Sequence, residues 1–305
     1  MSNPVVELKH VTKVIKGKKI IDDLSFTIEE GEVFGFLGPN GAGKTTTIRM
    51  IVGLMGITSG EIMICGHNVK SEFEDALQHI GGIVENPELY KFLTGYQNLM
   101  QYARMVKGIS KQKIDEVVEF VGLTERIHDK VKTYSLGMRQ RLGLAQSLLH
   151  DPKVMILDEP TNGLDPAGIK EIRDHLKKLT KEKGMSVIVS SHLLSEMEMM
   201  CDRIAIIQQG KLVDIQQVHD YVQDSKQKYF FEVDLKKAAA ILKNLPISYK
   251  RGENGIEVDL EKEEVPDMIQ FFVEKGIRIF EVKPLAKTLE DRFFEVTTQG
   301  EKVHA

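Results

Sequence analysis

The chain has 305 residues, of which 42% are hydrophobic and 28% are charged, and its formal net charge is -4. This composition is ordinary for a globular protein and excludes a chain that is disordered over most of its length. The near balance of 41 basic and 45 acidic residues gives no electrostatic argument for nucleic-acid binding.

The first elements of the chain are predicted strands. Residues 5–11 and 20–28 carry partial alternation of apolar and polar side chains, with a turn expected around Gly31. The short apolar run 32–37 predicts a further strand that ends in a glycine-rich turn, and residues 45–54 have the apolar spacing of a helix. Strand, glycine-rich loop and helix in this order begin a parallel α/β unit.

The glycine-rich turn matches the phosphate-loop pattern G-x-x-x-x-G-K-[ST]. Glycines allow the backbone to wrap closely around a phosphate, so that successive N–H groups point at it from a helix N-terminus. We expect Lys44 to reach the β- and γ-phosphate oxygens of a nucleotide and the Thr45 hydroxyl to bind Mg²⁺. The predicted nucleotide-binding residues are Gly38, Pro39, Asn40, Gly41, Ala42, Gly43, Lys44, Thr45 and Thr46.

The middle of the chain alternates between helical and strand patterns. Residues 72–149 are predicted to be mainly helical. Two buried-strand signals follow at 154–157 and 187–189, with an amphipathic helix over 169–179 between them. Residues 204–215 predict a hairpin around a Gln-Gly turn.

Two acids, Asp158 and Glu159, follow the first of these buried strands. A parallel strand delivers its last side chains at the carboxyl edge of the sheet, where such sheets bind ligands. We therefore expect Asp158 to hold Mg²⁺ through water. Glu159 is expected to orient and deprotonate an attacking water molecule as a general base.

The sequence changes character beyond residue 220. The polar stretch 223–227 predicts a linker, which divides the chain into domains 1–222 and 223–305. The second domain has the element order strand, helix, hairpin, helix and strand, which predicts a small ferredoxin-like α+β fold with no catalytic spacing of residues. The predicted segments are 229–233, 235–245, a hairpin around Gly255, 265–275 and 277–282.

The sequence also indicates a compartment. No apolar run approaches the roughly 18 residues that a membrane-spanning helix needs. The N-terminal residues lack the basic and apolar regions of a signal peptide, and two cysteines, Cys65 and Cys201, cannot build a disulfide framework. We therefore expect the chain in the reducing cytoplasm.

Three further motifs resemble those of the ATPase subunits of ABC transporters. Residues 134–141 (YSLGMRQR) stand where that family carries its signature sequence, residues 161–165 (TNGLD) resemble its D-loop, and Ser190-Ser191-His192 ends a strand as its switch histidine does. The resemblance covers roughly residues 4–215. It implies an α/β fold of P-loop NTPase type, with a RecA-like core, an antiparallel β subdomain and a helical subdomain, followed here by the ferredoxin-like domain.

The resemblance also implies roles for individual residues. In the family, two copies bind two Mg·ATP head to tail between them, so Ser135 and Gly137 at a helix start would bind the γ-phosphate held by the opposite subunit. His192 would contact the γ-phosphate. Asp165 would lie at the dimer interface, cap the helix ahead of Pro166, or do both. A separate multi-span permease would hold this homodimer at the cytoplasmic face of the membrane.

Three positions depart from the common family pattern. Glu85 stands where glutamine is usual, Leu136 and Met138 replace a glycine and a glutamine of the signature, and Ile15 replaces the aromatic residue that stacks on adenine. Glu85 and this signature together resemble the bacitracin-resistance and lantibiotic-immunity ATPases of ABC-2 exporters. We expect Glu85 to bind metal and to couple hydrolysis to the permease; the alternative is an exposed loop acid.

The aromatic segment 87–99 follows Glu85. In the family this face receives a short helix of the membrane subunit, for which exposed aromatic residues would form a groove. The alternative is that these side chains form the core of the helical subdomain, and both readings can hold for different residues.

The expected function is ATP hydrolysis that drives export of bacitracin-like or lantibiotic peptides. An ABC-2 exporter of another drug or of a lipid fits the same motifs, as does a soluble regulatory ATPase that takes no part in transport. Relatives that act on ribosomes carry two tandem ATPase units, and relatives that act on DNA carry a long coiled-coil insertion. The sequence shows neither feature, so we expect no nucleic-acid partner.

Overall fold

The computed structural model describes residues 4–218, 227–235, 249–252 and 254–285. The chain forms two compact units, Met1–Gln216 and Gln217–Ala305. The predicted boundary between 222 and 223 lies outside the described residues and stays a prediction. Within the described ranges, no helix is both long and apolar enough to cross a membrane.

Ten strands in residues 4–218 form two sheets. The first sheet has the order β2-β1-β4-β5 and is antiparallel. The second has the order β10-β9-β3-β8-β7-β6, and its strands from β9 to β6 are parallel. The strands are β1 (Val6–Ile15), β2 (Lys18–Ile28), β3 (Val33–Leu37), β4 (Ser59–Ile64), β5 (His67–Asn68), β6 (Ile80–Ile83), β7 (Val154–Asp158), β8 (Ser186–Ser191), β9 (Arg203–Gln208) and β10 (Lys211–Gln217).

The α-helices of the same unit begin at clear local signals. Thr94 and Gln97 form a capping box at the start of α3, and the Ser110 hydroxyl caps α4. Helix α6 starts with a proline and ends at Gly184, whose φ of 62° suits a glycine. The helices are α1 (Lys44–Ile51), α2 (Phe73–Leu77), α3 (Gly95–Met105), α4 (Lys111–Phe120), α5 (Leu136–Ser147), α6 (Pro166–Lys183) and α7 (Leu194–Met200).

The core of the first unit lies between the antiparallel sheet, α1 and the parallel sheet. Phe26, Phe34 and Phe36 form an aromatic cluster with ring centroids 5.4 to 5.5 Å apart. Ile48 and Ile51 of α1 are fully buried in the same core. Because burial of such side chains stabilises by about 1.5–3 kcal/mol each, this packing fixes the loop between β3 and α1.

The helical subdomain is formed by α3, α4 and α5, which contact one another. The prediction of a mainly helical stretch over 72–149 is confirmed for these helices but is wrong at β6, which pairs in parallel with β7. The strand is hard to predict from the sequence of β6, because Gly81 has no side chain and the segment lacks the apolar pattern of a buried strand. A Cβ atom there would come within 2.2 Å of the Ser147 carbonyl oxygen, so the glycine is required by the close packing of α5.

The described part of the second unit contains four strands and one α-helix. The strands form an antiparallel sheet in the order β12-β13-β11-β14, which is the order of a ferredoxin-like fold. Tyr229, Phe231 and Phe272 are buried in its core. Apart from Leu235, the predicted helix 235–245 lies outside the described residues. The elements are β11 (Gln227–Val233), β12 (Tyr249–Arg251), β13 (Gly255–Leu260), α8 (Val265–Glu274) and β14 (Ile279–Leu285).

Candidate functional site

The predicted phosphate loop joins the end of β3 to the start of α1. Gly41 and Gly43 have φ values of 80° and 112°, which favour glycine. A Cβ atom at Gly38 would lie 2.3 Å from the Ile207 carbonyl oxygen. The side chain of Lys44 is 6% exposed, and its Nζ donates a hydrogen bond to the Gly38 carbonyl at 2.7 Å. The loop therefore closes over the lysine that is predicted to bind phosphate.

A cavity of about 490 Å³ opens at this loop. Its volume is within the range of small-molecule sites. The cavity brings together most of the predicted loop residues with the predicted base and the switch histidine, whereas Gly38 and Pro39 are absent from its lining. The lining residues are Ile20, Asn40, Gly41, Ala42, Gly43, Lys44, Thr45, Thr46, Glu159, Asn162 and His192.

The two predicted acids lie at the end of β7, next to the end of β8. Asp158 is 3% exposed, and its Oδ1 accepts a 2.5 Å hydrogen bond from the Ser190 hydroxyl. The same hydroxyl oxygen accepts a hydrogen bond from the backbone N–H of Glu159 at 3.0 Å. Ser190 therefore links the end of β8 to the end of β7 through two hydrogen bonds. Glu159 itself has a φ of 50°, a left-handed conformation that costs energy for a residue with a Cβ atom and marks functional sites.

The Glu159 carboxylate lies between a histidine and the phosphate-loop lysine. Its Oε2 is 2.9 Å from Nδ1 of His192, and its Oε1 is 3.6 Å from Nζ of Lys44. The Glu159 side chain is 23% exposed and that of His192 is 40% exposed. A partly exposed carboxylate that lies within hydrogen-bond distance of a histidine and lines a cavity of small-molecule size has the geometry expected of a general base.

The oxygen donors near the cavity fit Mg²⁺. Thr45, which carries a hydroxyl oxygen, lines the cavity. Asp158 is not among the lining residues but ends β7 directly before the lining residue Glu159. Mg²⁺ prefers hard oxygen ligands and is usually held by one or two protein groups together with water and substrate phosphates. Within the described residues, no group of three or more His, Cys, Asp or Glu side chains could hold a metal by itself. A threonine hydroxyl and a single carboxylate are donors of the kind that bind Mg²⁺ together with water and phosphate oxygens.

Glu85 does not line the cavity. It follows β6 with a φ of 68°, and its carboxylate forms an ion pair with Arg49 of α1. Both side chains are substantially exposed, so this pair adds little stability. Glu85 therefore lies in the loop where it was predicted, and its side chain is exposed, as the alternative interpretation expects. Its role in metal binding stays a prediction.

The predicted signature residues Ser135 and Gly137 and the D-loop aspartate Asp165 lie outside the cavity lining. Ser135 is the N-cap of α5, and its hydroxyl accepts a hydrogen bond from the Met138 N–H at 3.2 Å. Gly137 lies in the first turn of α5. Asp165 is the N-cap of α6 and accepts a hydrogen bond from the Gly168 N–H at 3.0 Å. The predicted helix start at Ser135 and the predicted cap at Asp165 are both confirmed.

Two lining residues were not predicted from the sequence. Ile20 lies on β2, which pairs with β1 near Ile15, the residue in place of the family's aromatic. Ile15 itself is 37% exposed. Asn162 belongs to the TNGLD motif, in which only the aspartate was assigned a role. Ile20 falls between Lys19 and Ile21, which pair with Val14 and Lys13, so its place close to Ile15 depends on the register of the hairpin.

Comparisons with known proteins agree with this geometry. The family model described as ABC transporter matches residues 21–162. The chain is 68% identical, over 99% of both chains, to the uncharacterized ABC transporter ATP-binding protein YhcH of Bacillus subtilis (strain 168). The chain belongs to the ABC transporter ATP-binding proteins.

Other relatives of this ABC protein include proteins named for antibiotic transport. It is 39% identical to the bacitracin transport ATP-binding protein BcrA of Bacillus licheniformis, over 97% of this chain and 98% of BcrA. It is 40% identical to the lantibiotic transport ATP-binding protein SrtF of Streptococcus pyogenes, over 68% of this chain and 89% of SrtF. The resemblance expected from Glu85 and the signature is therefore confirmed.

A solved structure supports the fold and the nucleotide. The dimeric structure of a post-hydrolysis state of the ATP-binding cassette MJ0796, bound to ADP and Pi, matches with a TM-score of 0.63 and 26% identity, over 70% of this chain and 99% of that one. The ABC chain is thus an ATP-binding subunit of an ABC transporter, from a family whose ATP-binding subunits dimerise and pair with membrane permeases.

Proposed function

We propose that this ABC protein hydrolyses ATP with Glu159 as the general base and that hydrolysis drives an exporter for peptide antibiotics that act on the cell envelope. The observation that carries the proposal is the convergence of Lys44, Glu159 and His192 at one cavity. These side chains come from the starts or ends of three elements that are far apart in sequence. Their convergence supports a site for hydrolysis as well as for binding.

The phosphate loop would bind the nucleotide. The N–H groups at the start of α1 and the Lys44 ammonium would hold the β- and γ-phosphates. The Thr45 hydroxyl and the Asp158 carboxylate would hold Mg²⁺, which when bound supplies positive charge against the phosphate oxygens. Ser190 would keep Asp158 in position through their hydrogen bond.

Glu159 would orient a water molecule and take its proton as the water attacks the γ-phosphorus, while the bond from this phosphorus to the β–γ bridging oxygen breaks and ADP leaves. His192, at 2.9 Å from the carboxylate, would fix its direction and contact the γ-phosphate. Lys44 lies 3.6 Å from the same carboxylate and would turn to the phosphates when a nucleotide binds. A positioned base contributes about 10²–10⁴-fold to the rate.

The site would be completed by a second copy of the chain. Ser135, Gly137 and Asp165 lie outside the lining of the cavity, although helix N-termini such as that of α5 attract phosphate. A head-to-tail homodimer would bring these residues to the γ-phosphate held by the partner. Each ATP would then lie between two chains.

The permease would bind at the helical subdomain, on the cytoplasmic face of the membrane. In the segment 87–99, Leu99 is fully buried, whereas Tyr90 and Phe92 are 51% and 69% exposed. The segment therefore provides both core and surface, and the exposed aromatic pair supports a docking surface for a short permease helix.

Glu85 would act between this surface and the metal. We propose that its carboxylate leaves Arg49 when Mg·ATP binds, contributes to metal binding, and couples hydrolysis to the permease. The test compares ATPase rate and antibiotic protection for Glu85→Gln and Glu85→Ala, with Glu74→Gln, at an exposed acid of α2 outside the segment 87–99, as the control. Wild-type values for both Glu85 variants would contradict the proposal.

The substrate class rests on the relatives. BcrA and SrtF are named for bacitracin and lantibiotic transport, and substrate contacts would lie in the permease. A gene deletion tested against a panel of envelope-active peptide antibiotics is expected to raise sensitivity to at least one of them. Unchanged sensitivity to the whole panel would favour an exporter of another drug or lipid. Failure to co-purify with a multi-span membrane protein would favour a regulatory ATPase.

The catalytic assignment has a direct test in Glu159→Gln. The substitution keeps the side-chain shape but removes the base, so turnover is expected to fall about 10²–10⁴-fold while ATP binding persists. The variant is expected to accumulate as an ATP-bound dimer on size-exclusion chromatography. Wild-type turnover in Glu159→Gln would refute the role of Glu159.

A further inference from the structure

A second buried carboxylate lies close to the catalytic cavity without lining it. Glu196 is in the first turn of α7 and is only 6% exposed. Burying a carboxylate is costly unless hydrogen bonds satisfy it. Its neighbour Glu198, on the same short helix, is exposed, so burial distinguishes Glu196 from an ordinary helix-surface acid.

Two hydroxyl groups from different loops satisfy Glu196. Its Oε2 accepts a hydrogen bond from Oγ1 of Thr161 at 2.5 Å and another from Oγ of Ser191 at 3.2 Å. Thr161 is 4% exposed and Ser191 is 1% exposed. Hydrogen bonds to a charged acceptor in a buried setting are stronger than neutral ones. One oxygen atom therefore joins two segments of the chain that are 30 residues apart in sequence.

The two joined segments carry the two groups that must meet for hydrolysis. Thr161 lies two residues after Glu159, in the loop that leaves β7, and Ser191 directly precedes His192 at the end of β8. Glu159 and His192 are 2.9 Å apart. A displacement of about 1 Å in such a pair can cost on the order of 10²-fold in rate.

A separate set of contacts fixes the strand side of this arrangement. Ser190 bonds to Asp158 and to the Glu159 N–H, so it holds the points where β7 and β8 end. Beyond Glu159 the chain turns through a hydrogen bond from the Asn162 N–H to the Glu159 carbonyl. The Thr161 side chain, directed into the protein at Glu196, anchors the far side of that turn.

We propose that Glu196 is a positioning residue for ATP hydrolysis, which holds the loop after Glu159 and the loop of His192 in register through Thr161 and Ser191. The proposal rests on the hydrolytic function proposed above. Glu196 does not touch the cavity, so it acts on the rate of the chemical step and leaves the contacts of the phosphate loop unchanged. The same contact joins the D-loop to the switch-histidine loop, so both loops would move together.

The test measures steady-state ATPase kinetics of the full-length chain with Mg·ATP. Glu196→Gln keeps the side-chain shape but loses the charge. Thr161→Val keeps the volume of Thr161 but loses the donor. Each is expected to lower kcat on the order of 10- to 100-fold and to leave KM for ATP within about twofold, a pattern that marks a loss confined to the transition state. Glu198→Gln, at the exposed neighbouring acid, is the matched control and is expected to retain wild-type kinetics.

Two comparisons separate positioning from general instability. Thr161→Ser restores the hydroxyl and is expected to recover most of the turnover lost in Thr161→Val. The double variant that combines Thr161→Val with Glu196→Gln is expected to be no slower than Glu196→Gln alone, because Thr161→Val removes one of the two contacts that Glu196→Gln already weakens. Circular dichroism melting of every variant checks folding, and Thr161→Val decides the question if Glu196→Gln does not fold.

The outcomes are distinguishable. Near-wild-type kcat in folded Thr161→Val and Glu196→Gln would overturn the positioning role, as would a loss of kcat that Thr161→Ser fails to recover. A KM increase that accounts for the whole effect would also overturn it. If the wild-type chain shows no Mg·ATP turnover, the hydrolytic function itself fails, independently of Glu196; if Glu159→Gln retains turnover, only the role of Glu159 as the base fails.

Discussion

The N-termini of α1 and α5 are both helix ends that could bind phosphate, but they differ in their capping and in their surroundings. Helix α1 starts after Gly43 with no side-chain cap, so its first N–H groups are free to face the cavity. Helix α5 starts after Ser135, whose hydroxyl accepts a hydrogen bond from the Met138 N–H. Both ends carry the positive partial charge of a helix N-terminus, yet only α1 opens into the cavity of the same chain.

This difference accounts for the different roles that we propose for the two helix N-termini. The α1 side contains Lys44, the Glu159 carboxylate and His192, which are the groups that the proposed hydrolysis needs. The α5 side contains a capped helix start and the Asp165 cap of α6, and Ser135, Gly137 and Asp165 do not line the cavity at α1. One side therefore suits the nucleotide of its own chain, and the other suits the nucleotide of a partner. The predictions that follow separate the two sides.

The largest effect is expected for Lys44→Ala. The ammonium of Lys44 is the cation of the phosphate loop, and a charged hydrogen bond contributes about 1.5–3 kcal/mol, so ATP affinity is expected to fall about 10- to 100-fold. Isothermal titration calorimetry with the monomeric chain measures the ATP affinity. Lys211→Ala is the control, because Lys211 lies in the exposed pair with Asp22. Unchanged affinity in Lys44→Ala would contradict the role of the α1 side.

A smaller and different effect is expected for Ser135→Ala. Loss of the N-cap costs about 1 kcal/mol of stability, and turnover is expected to fall while ATP affinity of the separate chain stays at the wild-type value. Ser110→Ala is a matched control, because Ser110 caps α4 with the same geometry, accepting from the Lys113 N–H. If both variants lose the same stability but only Ser135→Ala loses turnover, the N-terminus of α5 has a role in hydrolysis beyond helix capping. If both variants lose the same turnover, that role is contradicted.

The smallest effect is expected for Asp165→Asn. Asparagine caps a helix about as well as aspartate, so the melting temperature is expected to stay near the wild-type value. Any change in ATP-dependent dimerisation, measured by analytical ultracentrifugation, would then report the lost charge at the interface. A large fall in melting temperature would show that the carboxylate is needed for folding.

Sequence reasoning located the candidate site residues on the α1 side better than it located the strands around them. The phosphate loop, Asp158, Glu159 and His192 follow from short motifs because each needs a fixed residue type at a fixed spacing. Strand β4 escaped prediction because it pairs with β1, which lies far earlier in the chain, and β6 escaped because its glycine is set by contact with α5. Such contacts depend on tertiary packing.

Glu196 shows the same limit within the site. In the sequence it is one of two glutamates in the short helix α7, and nothing in their spacing separates them. Burial and the hydroxyls of Thr161 and Ser191 separate them, and these partners come together only when β7 and β8 lie side by side. Glu85 gives the converse case, because its sequence position predicted a metal site and its carboxylate pairs with Arg49.

The most direct test of the central claim, that each chain supplies half of each ATP site, uses mixed dimers of differently tagged chains. Lys44→Ala disables the α1 side, and Gly137→Glu places a carboxylate against the incoming γ-phosphate on the α5 side. With the two changes on different chains, one complete site remains and ATP turnover is expected well above background. With both changes on one chain and a wild-type partner, no complete site remains and turnover is expected at background. Turnover in the second arrangement equal to that in the first would contradict the claim.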